Sequence, residues 1–263
     1  MDIFQITQAI ILGLVEGITE FLPISSTGHL IIVGDILGFK GPGSIVFDIA
    51  IQLGAVLAVC YKFWRRIVVV TATLGTKPES RRFAWNIILA FIPAAVLGVL
   101  FHEYIETFFT ARTVGITMVL GGFAIIFIEN KVKTVKFETV DDIVPPTAFK
   151  IGLFQCIAMI PGVSRSGATI MGSLLMGLSR QAAAEFSFFL AIPTMLGATV
   201  FQLYKHRYEL HADSLGLIAI GFVVAFVSAL FVVNWLINYI SKHGFKPFAY
   251  YRIIAGSIII AAL

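Results

Sequence analysis

Read as alternating apolar and polar positions, the chain is mostly long apolar runs: 45–63, 84–101, 112–129, 186–204, 214–237 and 248–263. Each reaches or approaches the roughly 20 residues that an α-helix needs to cross a bilayer. Two further stretches behave differently. Residues 3–38 and 148–178 are interrupted near the middle by proline and glycine, and each half is too short to cross comfortably. Interrupted helices survive at membrane depth only where the freed backbone packs on protein or lines a cavity. Each stretch is therefore expected to be a helical hairpin that enters the membrane and turns back. The predicted fold class is all-α: a polytopic membrane protein, residues 1–263 forming one integral membrane domain.

The two interrupted stretches resemble each other. Adding 139 pairs Gly13 with Gly152, Leu14 with Leu153, Ile18 with Ile157, Ser25 with Ser164, Gly28 with Gly167, Ile31 with Ile170, Gly38 with Gly177 and Phe47 with Phe186. Glu16 meets Gln155, and Ser-Ser-Thr-Gly meets Ser-Arg-Ser-Gly. Weak internal symmetry of this kind marks membrane repeats, here repeat one over about 1–129 and repeat two over about 148–263.

Composition agrees: 58% of residues are hydrophobic and 13% charged, against ~25% charged in a soluble globular protein. Asp2 stands where a leader would be basic, so no cleaved signal peptide is expected. The net charge of +4 matters less than its placement in "YKFWRR" (61–66), "KPESRR" (77–82), "KVKTVK" (131–136), "YKHR" (204–207) and "SKHGFK" (241–246). Such clusters fit loops held on the cytoplasmic face rather than a nucleic-acid stripe, so no nucleic-acid partner is expected. With "YKFWRR" and "KVKTVK" cytoplasmic, the first hairpin enters from outside and the second from the cytoplasm. That is an inverted-topology repeat with two re-entrant hairpins. "YKHR" then lies outside, against the charge rule. Cys60 and Cys156 read as small buried hydrophobes, and Trp64, Trp85 and Trp235 as interface anchors.

Within this apolar chain the breaks carry the chemistry. Glu16 and Glu20 lie one helical turn apart, so two carboxylates share a face in a medium that penalises charge. They call for a positive partner: a divalent cation, Mg²⁺ or Ca²⁺, or the arginine of the other break. After Pro23, Ser25, Ser26 and Thr27 open a new helix, where hydroxyls cap free amides and anions bind. In "PGVSRSGAT" (161–169), Arg165 stands between Ser164 and Ser166, with Thr169 a turn further on. An arginine deep in an apolar run needs an anion, and its fork matches phosphate. Ser25, Thr27, Ser164, Arg165, Ser166 and Thr169 are thus the expected substrate-binding groups, with Glu16 and Glu20 as the metal ligands where a cation, not the arginine, is their partner. His29 follows Ser26 by three residues, which predicts a hydroxyl with an imidazole in reach, the minimal activated nucleophile. Asp48 and Gln52 could line the same cavity, Asn86 and Glu185 are placed at span ends, and Gly121 and Gly122 suggest close helix packing.

Both motifs, "EGITEFLPISSTGH" (16–29) and "PGVSRSGAT", strongly resemble the signature regions of the undecaprenyl-diphosphate phosphatase family of the bacitracin-resistance type. The likeness extends to length and the order of apolar runs. It implies an inner-membrane enzyme that removes the terminal phosphate of undecaprenyl diphosphate and so recycles the lipid carrier of cell-wall synthesis. It also implies metal dependence. Carried onto matching positions, the core site would be Glu16, Glu20, Ser26, His29 and Arg165. The expected reaction is phosphoanhydride hydrolysis where the two breaks meet. Ser26 is the preferred nucleophile with His29 as base, and direct attack by water remains open. The expected partners are a polyprenyl diphosphate and membrane lipids; a homodimer is left open. Facing the periplasm is the expectation for the site. The rival reading is a transporter or flippase of a polyprenyl phosphate, since broken helices with anion-binding ends also serve transport.

Overall fold

The computed structural model describes residues 2–39, 44–132, 134–205 and 215–263. Among them the chain is helical, and its β-type pairing is a single bridge between Phe137 and Leu178. Five helices are long and apolar enough to cross a membrane: α3 (Ser44–Lys62), α5 (Pro78–Glu106), α6 (Ala111–Lys131), α9 (Arg180–Lys205) and α10 (Leu215–His243). Each matches one of the predicted apolar runs. The sixth run, 248–263, forms α11 (Lys246–Ala261), whose 16 residues fall short of the roughly 20 a crossing helix needs. A short amphipathic helix, α4 (Trp64–Ala72), follows α3.

The interrupted stretches form helix–break–helix units. The first is α1 (Ile3–Thr19) and α2 (Ser26–Leu37); the second is α7 (Pro145–Ile157) and α8 (Arg165–Leu175). Their internal geometry repeats at the offset of 139. Ser25 and Ser164 are the positive-φ residues other than glycine among those described, at φ 72° and 76°. Each places its side-chain oxygen on the amide three residues on, Gly28 or Gly167, and so caps the helix that follows. Backbone held in so sparse a region costs about 1–3 kcal/mol and persists only where its surroundings fix it.

α1 packs on α10 and α3, α7 on α5, and α6 on α11. Small residues let the backbones approach: a Cβ on Gly13 of α1 would lie 2.6 Å from the Gly221 carbonyl oxygen of α10, and the paired glycine, Gly152 of α7, abuts the Ala90 backbone of α5. Gly122 of α6 meets Ile253 and Ala249 of α11 in the same manner, the close packing the adjacent glycines predict. The main core lies between these layers, with Phe21, Phe186 and Phe188 fully buried. Cys60 and Cys156 are free, partly buried thiols.

Basic loops gather at one end. Arg66 pairs with Asp141, Arg82 donates to the Asp141 carbonyl, and the Asn86 amide donates to the Ile143 carbonyl at 2.8 Å. Arg180 pairs with Glu129 at 2.8 Å, and Glu129 also accepts from the Lys246 amide at 3.0 Å. Asn86 is thus buried, tying α5 to the segment that leads into α7. The arms of the second unit begin and end here, next to Ile143 and the Phe137–Leu178 bridge. In the first unit the Gln8 amide donates to the Leu37 carbonyl at 2.8 Å, so the outer ends of α1 and α2 lie together. Of "YKHR", residues 206 and 207 lie outside the described set; Lys205 pairs with Glu106 at the far end of α5, away from the basic loops.

Candidate active site

The two breaks meet. Helix α1 keeps αR geometry through Glu20, whose amide bonds the Glu16 carbonyl at 2.9 Å. The chain then turns through Pro23 to the cap at Ser25. From the other break, the Ser166 hydroxyl donates to the Leu22 carbonyl at 2.7 Å, while the Ser164 and Ser166 hydroxyls lie 3.0 Å apart. Carbonyls freed by the first break are therefore satisfied by hydroxyls of the second, which is what keeps irregular backbone tolerable in an apolar setting.

Glu20 is the meeting point of the charged groups. Its Oε1 accepts from Arg165 Nη2 at 2.9 Å, and its Oε2 accepts a short hydrogen bond from the Ser26 hydroxyl. Arg165 is braced from three sides: Nη1 donates to the Ser187 carbonyl at 3.0 Å, its guanidinium stacks over Phe21 at 5.7 Å, and Thr169 and Ser187 share a hydrogen bond of 2.7 Å beneath it. Arg165 Nε has no partner. A planar fork with spare donors, held rigid, is suited to a tetrahedral oxyanion.

Glu20, Ser25, Ser26 and Thr27 from one break and Gly162, Ser164 and Arg165 from the other line a cavity of about 130 Å³, with Gln52, Phe109 and Met195 also in its walls. It shares walls with two larger clefts. One, about 720 Å³, runs between α2, α3 and the far end of α5, past Leu30, Ile31, Ile45, Asp48 and Gln52. The other, about 410 Å³, is almost wholly apolar and lies between α5 and α9, with Phe91, Val99 and Phe201 in its walls. A small polar chamber joined to apolar grooves suits a ligand with a charged head and a hydrocarbon tail.

Glu16 sits a turn behind Glu20, fully buried, and neither of its carboxylate oxygens has a partner. An isolated buried carboxylate is costly, so the donor set fits a cation that it could hold together with Glu20. No cluster of three or more His, Cys, Asp or Glu side chains forms among the described residues. Any cation there would draw its remaining oxygens from water and ligand phosphate, as Mg²⁺ does.

The expected serine–histidine pair is not formed. His29 Nδ1 lies 2.7 Å from the Ser25 carbonyl and Nε2 lies 2.5 Å from the Tyr251 hydroxyl. Ser26 turns instead to Glu20, six residues before it. Ser166 and Thr169 support the cavity from buried positions rather than lining it. Four residues around the site were not singled out from the sequence. Ser187 and Met195 carry no signal within α9; Tyr251 is one aromatic among many. Arg252, a lone arginine inside the apolar run 248–263, did carry one, because intramembrane charge marks function by default.

The model of the bacitracin resistance protein BacA family matches residues 9–258. The chain belongs to that family. Among curated relatives, it is 53% identical over 252 residues to undecaprenyl-diphosphatase 2 of Paramagnetospirillum magneticum, covering 95% of this chain and 96% of that one. It is 50% identical over 262 residues to the undecaprenyl-diphosphatase of Acidovorax ebreus, covering 99% and 96%. To the enzyme of that name from Pseudomonas syringae pv. tomato it is 52% identical over 262 residues, covering 99% and 95%. In this BacA-family chain both motifs that suggested the family meet at one cavity.

Proposed function

We propose that this BacA-family protein hydrolyses undecaprenyl diphosphate to undecaprenyl phosphate and inorganic phosphate, in the inner membrane of a bacterium. The observation that carries the reading is Glu20 held between Ser26 of its own break and Arg165 of the other. A hydroxyl, a carboxylate to take its proton and a guanidinium to neutralise phosphoryl charge are the parts that phosphoryl transfer requires.

In the mechanism the arrangement favours, Ser26 Oγ attacks the terminal phosphorus and Glu20 takes the hydroxyl proton. The phosphorus–oxygen bond to the lipid monophosphate breaks, and that monophosphate leaves. Water then attacks the phosphoserine, releasing inorganic phosphate and restoring the serine. Arg165 and the first amides of α2 and α8, which the serine caps leave free, hold the equatorial oxygens, where preorganised charge contributes most. Glu16 and Glu20 would hold the divalent cation, Mg²⁺ or Ca²⁺, which supplies charge neutralisation on the diphosphate. His29, held by the Ser25 carbonyl and Tyr251, fixes the first turn of α2, which carries Ser26, and is not the base. The apolar cleft between α5 and α9 takes the prenyl tail.

The 720 Å³ cleft opens beside Ile105, Glu106 and Phe109, at the end remote from the basic loops. With those loops cytoplasmic, the site faces the periplasm and the two helix–break–helix units enter from opposite faces as an inverted repeat. The test is phosphate release by the purified protein in detergent with a divalent cation, where transport is impossible. Release by the wild type that collapses in Glu20→Gln supports the reading; a wild type that releases none returns the case to a transporter.

A further inference from the structure

Arg252 is the largest side chain buried without a carboxylate to answer it. It projects from α11, is 1% exposed, and no acidic group pairs with it among the described residues. All of its donors go to backbone carbonyls. Nη1 donates to Pro23 at 3.0 Å and Val163 at 2.9 Å. Nη2 donates to Gly162 at 2.9 Å and Thr117 at 3.1 Å, and Nε to Met118 at 3.3 Å. Five carbonyls on three segments thus converge on one guanidinium: the first break, the second break and the middle of α6.

The choice of carbonyls is informative. Pro23 and Gly162 are related by the offset of 139, so the two arms of one fork grip corresponding points of the two breaks. Both contacts sit just before the capping serines, Ser25 and Ser164, that open α2 and α8. The same α6 surface adds a second tie, since Thr117 Oγ1 donates to the Pro161 carbonyl at 2.6 Å. A desolvated arginine is costly in a core, and filling a gap between breaks would need only an apolar residue. A planar fork that can reach both breaks at once is what this position requires.

We infer that Arg252 is a positioning residue: it sets the separation of the two breaks, and so the alignment of Ser26 and Glu20 with Arg165 and the second helix start. It does not itself line the cavity, although its partner Gly162 does, and it lies behind the residues placed at the reacting atoms. The inference rests on the hydrolase reading given above.

The test uses the full chain in detergent with a divalent cation, and measures kcat and KM per mole of folded, monodisperse protein. Arg252→Lys keeps the charge but cannot span both breaks. It is expected to lose about 100-fold in kcat, the scale of an ångström of misplacement, with KM changed less than about threefold. Gly121→Ala is the second probe. It leaves Arg252 in place, but the added methyl meets Nη2 and Cζ of its guanidinium and pushes the fork aside. A kcat loss in the same direction is expected. If folded Arg252→Lys and Gly121→Ala both turn over at the wild-type kcat, with only thermal stability reduced, Arg252 serves stability alone and the inference fails. Where neither variant folds, ¹⁵N-arginine NMR of the wild type decides. Guanidinium protons of Arg252 that resist exchange support the fork; rapid exchange overturns it. Glu20→Gln in the same assay separates the two claims: a dead Glu20→Gln beside fully active Arg252 and Gly121 variants leaves the hydrolase and removes only the inference.

Discussion

The two helix–break–helix units share a backbone and differ in chemistry. Each turns at a serine with positive φ, caps the next helix through an amide three residues on, and packs its first helix through a corresponding glycine. The side chains around the turns then diverge. The first unit carries Glu16 and Glu20, where the second has Gln155 and Met159; the second carries Arg165, where the first has Ser26. Gln155 is engaged with the Thr194 hydroxyl at 3.2 Å, whereas its counterpart Glu16 has no partner at all. The feature the two units share is the scaffold that presents two helix starts to one cavity. The carboxylate and the guanidinium are divided between the units, so neither unit is a site alone.

Breaking that division should have graded effects. The largest belongs to Glu20→Gln, which keeps the shape but removes the proton acceptor and the ion pair; a loss of about 10²–10⁴ in kcat is expected. Arg165→Ala follows, at about 10²–10³ in kcat, the scale of removing one preorganised donor to a developing charge. Making the first unit resemble the second, Glu16→Gln, should weaken the apparent affinity for the divalent cation by at least about tenfold, read as a shift in the metal-activation curve. Chelation of metal from the wild type should abolish release, and adding it back should restore it. Making the second unit resemble the first, Gln155→Glu, should give no gain in rate and a lower melting temperature, because it buries a second carboxylate and sets an acceptor against the Ala90 carbonyl that the Gln155 amide now serves. The smallest effect is for Ser25→Gly and Ser164→Gly, which relieve the positive φ while removing the cap. Each should change stability by no more than about 1 kcal/mol, and by similar amounts if the scaffold is truly shared.

Much of this was legible in the sequence because the bilayer restricts what polar residues can mean. Proline and glycine inside apolar runs located both breaks, and Glu20 and Arg165 proved to be partners across 145 positions. Spacing alone was a poorer guide. Ser26 and His29 share a helical face, but Ser26 opens α2, and its hydroxyl reaches back to Glu20 while Ser25 and Tyr251 take the imidazole. That choice is tertiary, since Tyr251 lies 222 residues away. The final apolar run suggested a crossing helix, yet α11 covers it with only 16 residues, Lys246–Ala261. The same run carries Arg252, whose charge among apolar neighbours marks it but does not say what it binds. Its carbonyl partners bear no side-chain signature, so no residue pattern could name them.

The most direct measurement is a double-mutant cycle on kcat between the units, Ser26→Ala against Arg165→Ala, in purified protein with saturating divalent cation. If hydroxyl and guanidinium act on the same phosphoryl group, the double variant should be hardly slower than the worse single variant, since parts of one unit are strongly non-additive. Losses that simply multiply would mean that serine and arginine act independently, and the account of a single centre shared by two breaks would be contradicted.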